Sequence, residues 1–132
     1  MLEQNKTLFK RFVDEVFNKK NVAVIDELMD PNMVEHNLGT LQELKALITA
    51  FLGAFPDLHV TVDDLIAEGD KIVGRVTLTG TQQGELMGIP ATGKKVSFSE
   101  ILIIRISNGK VVEHWEVTDT MSMMQQLGVI PS

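Results

Sequence analysis

The chain has 132 residues, 44% of them hydrophobic, with 12 basic and 18 acidic side chains and a net charge of −6. That length and apolar fraction suit one packed core, and the acidic balance excludes a broad phosphate-binding surface, which needs clustered Lys and Arg. Cysteine and tyrosine are absent, which removes disulfides, thiolate metal sites, a cysteine nucleophile and any phenolic proton donor.

The opening segment, MLEQNKTLFKRF, interleaves charge with its apolar residues, unlike a signal peptide. No run of about eighteen apolar residues occurs that would span a bilayer. A cytoplasmic protein, with neither nucleic acid nor membrane as partner, is the expectation.

Residues 1–55 read as helical. Leu8, Phe9, Phe12, Val13, Val16 and Phe17 form one apolar face. Asn21 is placed to cap a short second helix bearing Val22, Ile25, Leu28 and Met29, which Pro31 stops. Thr40 and Glu43 have capping-box spacing and open a third helix that Pro56 closes. The period then switches to two, predicting strands over 58–68, 71–81, 94–106 and 110–119. Gly69-Asp70 and Asn108-Gly109 sit where tight turns are needed, and Asn-Gly is the type I′ hairpin signal. The Gly/Pro-rich segment Gln82–Gly93 is too long for a tight turn, and Met121–Leu127 predicts a last helical turn before Gly128. The sum is one α+β domain over 1–132, with helices on one face of a curved antiparallel sheet.

An uninterrupted hairpin at Asn108-Gly109 sets Ile106 opposite Val111, Leu102 opposite Trp115, Glu100 opposite Val117 and Phe98 opposite Asp119. One face then carries Phe98, Leu102, Ile104, Trp115 and Val117 with Glu100 and Asp119 as diagonal neighbours, roughly 5–8 Å apart. Two carboxyls in apolar surroundings raise each other's proton affinity, which suits a general acid or base near neutral pH. The competing reading solvates either carboxylate at the sheet rim or pairs it with Arg. A bulge would reverse the faces beyond its position.

Of the three histidines, His36 lies in an inter-helix segment able to overhang a pocket, His59 alternates outward, and His114 falls on the face opposite Asp119. None sits in an HxH or HExxH pattern, so no metal site is expected. Gln82 reads either as a surface residue or as a substrate hydrogen-bond donor. Met87 lies on the long loop, where it would form a pocket rim or lid.

Three segments, Asp57–Asp70, Thr79–Gly93 and Asn108–Asp119, together with the closing Gln125-Gln126-Leu127-Gly128, resemble the SnoaL-like ester cyclases (polyketide cyclases). The resemblance covers nearly the whole chain. It implies the nuclear transport factor 2-like (cystatin-like) fold, a cone-shaped α+β barrel in which a strongly bent antiparallel sheet wraps the amino-terminal helices around an apolar pocket. It also implies a homodimer through the outer sheet face, no cofactor, and an acid/base carboxylate in the His-Trp-x-x-x-Asp pattern, here Asp119. His36 and Trp115 become pocket candidates, and Gln82 stands where many relatives carry His.

The expected function is therefore acid/base chemistry on a small hydrophobic carbonyl compound, an aldol-type cyclisation or isomerisation. Asp119, Glu100 and His36 are the catalytic candidates. Trp115, Gln82, Phe98, Leu102, Val117 and Met87 are the candidates for substrate contact. The alternative is a non-catalytic binder of a lipophilic small molecule.

Overall fold

A computed structural model describes residues 2–131. Helix α1 (Leu2–Arg11) runs without a break into a π-helical turn, Phe12–Asn18. There the Lys19 N–H donates to Asp14 O, five residues back, at 2.8 Å. In an α-helix, at about 100° per residue, Phe12 and Phe17 would lie some 140° apart. The wider turn brings them together as an edge-to-face pair at 5.5 Å.

Helix α2 (Val24–Leu28) follows. Asn21 contributes its backbone carbonyl, which accepts from Val24 N–H, and not a side-chain cap. The segment expected to be a loop is instead a strand, β1 (Met29–Glu35), followed by the two-residue β2 (Gly39–Thr40). Pro31 is tolerated in β1 because the pairing register shifts between Met29 and Val34, so no ladder N–H is required there. Thr40 caps α3 (Leu41–Ala54) through Oγ1, which accepts from Glu43 N–H.

Strands β3 (His59–Glu68), β4 (Lys71–Thr81), β5 (Lys95–Ser107) and β6 (Lys110–Thr118) lie within two residues of their predicted spans. Asn108 and Gly109 both have positive φ, 53° and 74°, as a type I′ turn demands. Helix α4 (Thr120–Leu127) ends at Gly128 in the left-handed conformation.

The six strands form one curved, unclosed sheet in the order β2-β1-β6-β5-β4-β3. Every pairing is antiparallel except β1 with β6, which is parallel, so the expected all-antiparallel sheet is corrected there. The helices fill the concave side. Phe9 of α1 lies directly over Gly74 of β4, where an added Cβ would sit 2.2 Å from the ring. Among the described residues no helix is long and apolar enough to cross a membrane.

Candidate active site

A bulge decides which side chains enter the hollow. Ile106 pairs with Val111 as expected, but Arg105 then pairs with Glu113, leaving Val112 as an extra residue in β6. Beyond it the faces reverse. Ile104 pairs with His114, Leu102 with Glu116 and Glu100 with Thr118. His114, Glu116 and Thr118 therefore face the helices.

Trp115 and Val117, expected inside, are on the convex face instead, and Val117 is 74% exposed. Asp119, expected in a dry hollow, lies past the end of β6 and is exposed. Its Oδ1 accepts from Ser122 N–H at 3.1 Å, an N-cap for α4. His36 stacks on Trp115 with ring centroids 4.4 Å apart and planes 3° from parallel. His36 Nε2 lies 2.8 Å from Glu113 Oε2, and Glu113 also binds Arg105. The sequence candidates His36 and Trp115 are thus brought together, but outside.

Gln82 is fully buried yet belongs to the β4–β5 loop. Its Nε2 donates to Ile89 O at 3.2 Å, and its Oε1 accepts from Thr92 N–H and Oγ1–H. All of these bonds hold the loop. Met87 is exposed at the loop tip and does not line the hollow. Phe98, Leu102 and Glu100 do line it, as expected.

The hollow has a cavity volume of about 60 Å³, below the roughly 300–1,000 Å³ of small-molecule sites, so a ring-sized guest requires its wall side chains to move apart. Phe12 and Phe17 of the π-helical turn and Leu44, Leu47, Ile48 and Phe51 of α3 form one wall. Leu78, Phe98 and Leu102 on the sheet continue it, and Glu100, His114, Glu116 and Thr118 supply its polar groups.

Those polar groups are ordered by their neighbours. Glu100 Oε2 accepts from Thr118 Oγ1–H at 2.6 Å, and the Glu100 and Glu116 carboxyls share a hydrogen bond. Burial pushes the Glu100 carboxyl up. Burial, then the charge of Glu100, pushes Glu116 up to about 7. Each carboxyl in this buried pair thus binds its proton more tightly than an ordinary glutamate.

Behind this pair lies Glu35, fully buried on β1 and in register with His114. Its Oε1 is 3.2 Å from His114 Nδ1, and its carboxylate also accepts from the N–H groups of Asn37 and Leu38. Burial acts to raise this carboxyl, but the bonds from His114 and the two backbone groups outweigh it and hold Glu35 below the usual carboxylate range. Among the described residues, no three His, Asp or Glu side chains converge as metal ligands would.

Glu35, His114, Glu116 and Thr118 are absent from the sequence-based candidates. One signal pointed to them. Without a bulge Glu113 opposes the apolar Ile104, whereas a one-residue slip sets it against Arg105, a favourable cross-strand charge pair.

A carboxyl pair poised near neutral pH on the wall of an apolar hollow is equipped to move protons to and from a bound carbonyl compound. Comparison with known proteins gives the family. The family model described as SnoaL-like polyketide cyclase matches residues 7–127. An aklanonic acid methyl ester cyclase of Streptomyces sp. (strain C5) is 31% identical over 108 residues, 80% of this chain and 67% of the relative. Among solved structures, AclR from Streptomyces galilaeus, proposed to be a hydroxylase, superposes with a TM-score of 0.92 at 32% identity, over 100% of this chain and 85% of the other. TsrD from Streptomyces laurentii superposes with a TM-score of 0.89 at 30% identity, over 97% of both chains. The bent sheet, the enclosed carboxyls and the match along nearly the whole chain lead to one assignment: this protein belongs to the SnoaL-like polyketide cyclase family.

Proposed function

We propose that the protein is a cyclase that uses acid/base chemistry on a small, apolar, carbonyl-containing substrate, with Glu116 as the base. The Glu100–Glu116 pair on the apolar wall is the observation that carries this reading. The role that the sequence pattern gives to Asp119 passes to Glu116, because Asp119 is occupied in capping α4. The Glu116 carboxylate takes a proton from carbon next to a carbonyl, and the resulting carbanion attacks a second carbonyl of the same molecule. The buried site and the charge of Glu100 hold the Glu116 proton until about pH 7, so that Glu116 ionises near neutrality. An ester-bearing substrate is supported by the named relatives, which are methyl ester cyclases.

The test is hydrogen–deuterium exchange at the α-carbon of 2-tetralone in D₂O, followed by NMR. This reads proton abstraction alone and needs no ring closure. Wild-type protein accelerates exchange, with a rate that rises as pH passes through about 7. Glu116→Gln loses on the order of 100-fold or more of that acceleration while still binding the ketone. Unchanged exchange in Glu116→Gln would leave only a binder of lipophilic molecules.

The same reading includes a homodimer through the convex sheet face, where Ile101, Trp115 and Val117 form an apolar strip and Ile101 and Val117 are exposed. Val117→Glu then yields monomers in sedimentation velocity. A wild-type monomer would refute it.

A further inference from the structure

We infer that His114, held by Glu35, is a second catalytic residue that delivers a proton to the carbonyl oxygen while Glu116 takes one from carbon. The inference rests on the acid/base reading above and adds to it the group that stabilises the oxygen.

The Glu35–His114 couple is costly to bury. Glu35 is 0% exposed and His114 1%. A buried carboxylate–imidazole couple gives little stability that well-packed apolar side chains would not match, so its presence calls for another explanation. Its geometry supplies one. Glu35 is fixed from behind by the Asn37 and Leu38 N–H groups and ahead by His114 Nδ1. An ionised carboxylate can only accept, so Nδ1 carries a hydrogen. The imidazole ring lines the hollow, and Nε2 has no hydrogen-bond partner among the described residues. Once protonated, the ring presents an Nε2–H to whatever occupies the hollow, with the Glu35 carboxylate at Nδ1 opposite its charge.

Position agrees with this role. His114 and Glu116 are alternate residues on one face of β6, roughly 7 Å apart along the strand. A reacting C–H group and a carbonyl oxygen, with a hydrogen bond at each end, bridge that span. The ionisable groups facing His114 are Glu35 from β1, Glu100 from β5 and Glu116 from its own strand. The π-helical turn and α3 present only apolar side chains to the hollow.

The protons balance. Glu116 gains the proton from carbon as the carbonyl oxygen takes one from Nε2, which gives the enol. The enol carbon then attacks the second carbonyl: the new C–C bond forms as that π bond opens, and the enol O–H proton returns to Nε2. The new alkoxide takes the proton held by Glu116, which restores both groups with no net proton gained or lost.

Two measurements decide it. In ¹⁵N-labelled wild-type protein, the His114 Nε2 resonance should shift on saturation with 2-tetralone. An Nε2 unmoved by the ketone would overturn the inference. In the exchange assay, His114→Gln should lose 10-fold or more. Glu35→Gln should lose part of that rate, and Glu35→Asp should restore it. His59→Gln, on the exposed part of β3, should match wild type. If Glu116→Gln abolishes exchange but His114→Gln leaves rate and pH profile intact, the inference fails and the base assignment survives. If Glu116→Gln leaves exchange intact, the underlying reading fails instead.

Discussion

Replacing Glu116 by Gln should stabilise the fold at alkaline pH and not at acid pH. The Glu116 carboxyl is raised to about 7 from an ordinary 4.5. Below about 4.5 it is protonated in the folded and unfolded chain alike, so it makes no difference to stability. As pH rises toward 7 the unfolded chain gives up this proton first, which favours unfolding, and above about 7 the destabilisation is complete. At about 1.4 kcal/mol per unit, that interval sets a ceiling of roughly 3 kcal/mol; partial access to water reduces it to about 2 kcal/mol. Gln keeps the shape without the charge. The assay is urea denaturation of both proteins at about pH 4.5 and pH 8, followed by fluorescence of Trp115, the single tryptophan. The stability of Glu116→Gln relative to wild type should increase by about 2 kcal/mol between those conditions, or roughly 8 °C in Tm. Glu100→Gln should act in the same direction, and the double substitution should give less than the sum. An equal difference at both pH values would mean that the two carboxyls do not share a dry environment, and the proposed base would lose its physical basis.

Three other substitutions test the packing and the reassigned residues. Gly74→Ala places a methyl group 2.2 Å from the Phe9 ring and should lower stability by about 1–3 kcal/mol, with recovery when Phe9→Leu is added. A loss below about 0.5 kcal/mol would show that the ring is not held there. Asp119→Asn should leave exchange activity and stability near wild type, because Asn caps helices as well as Asp does, whereas Asp119→Ala should cost about 0.5–2 kcal/mol. Loss of exchange in Asp119→Asn would return the base to the position first expected. Gln82→Ala should destabilise by about 1–3 kcal/mol through unpaired loop groups, with the exchange rate of the folded fraction unchanged; a specific loss of rate would put Gln82 back in the site.

Much of the fold was legible because hydrophobic period and turn chemistry are local. The switch from helical spacing before Pro56 to alternation after it located the strands, and Asn108-Gly109 located the hairpin. β1 was missed for the opposite reason. Its pairing with β6 is parallel and distant in sequence, and Pro31 argues locally against a strand. The site was legible only in part. Phe98, Glu100 and Leu102 lie on β5, before any irregularity, and their inward direction follows from alternation. Everything on β6 after Val112 was read one residue out of phase, since a period of two converts a single extra residue into a complete exchange of faces. Resemblance to the family did not repair this. A motif gives order along the chain and carries no information on which way a strand is phased.

The π-helical turn has a consequence of its own for how the protein can change. On its amino-terminal side Phe9 is locked over Gly74; on its carboxyl-terminal side Phe17 closes the hollow. The wide turn is the joint that lets both contacts exist on one continuous rod. Forcing the same seven residues into ordinary α-helical winding would rotate one end against the other by roughly 100°. Either the anchor or the wall would then be lost. The width of the chamber is therefore set by the pitch of a single turn as much as by the size of the side chains around it, and lineages that tighten or loosen that turn would change which guests fit without altering any residue that touches them.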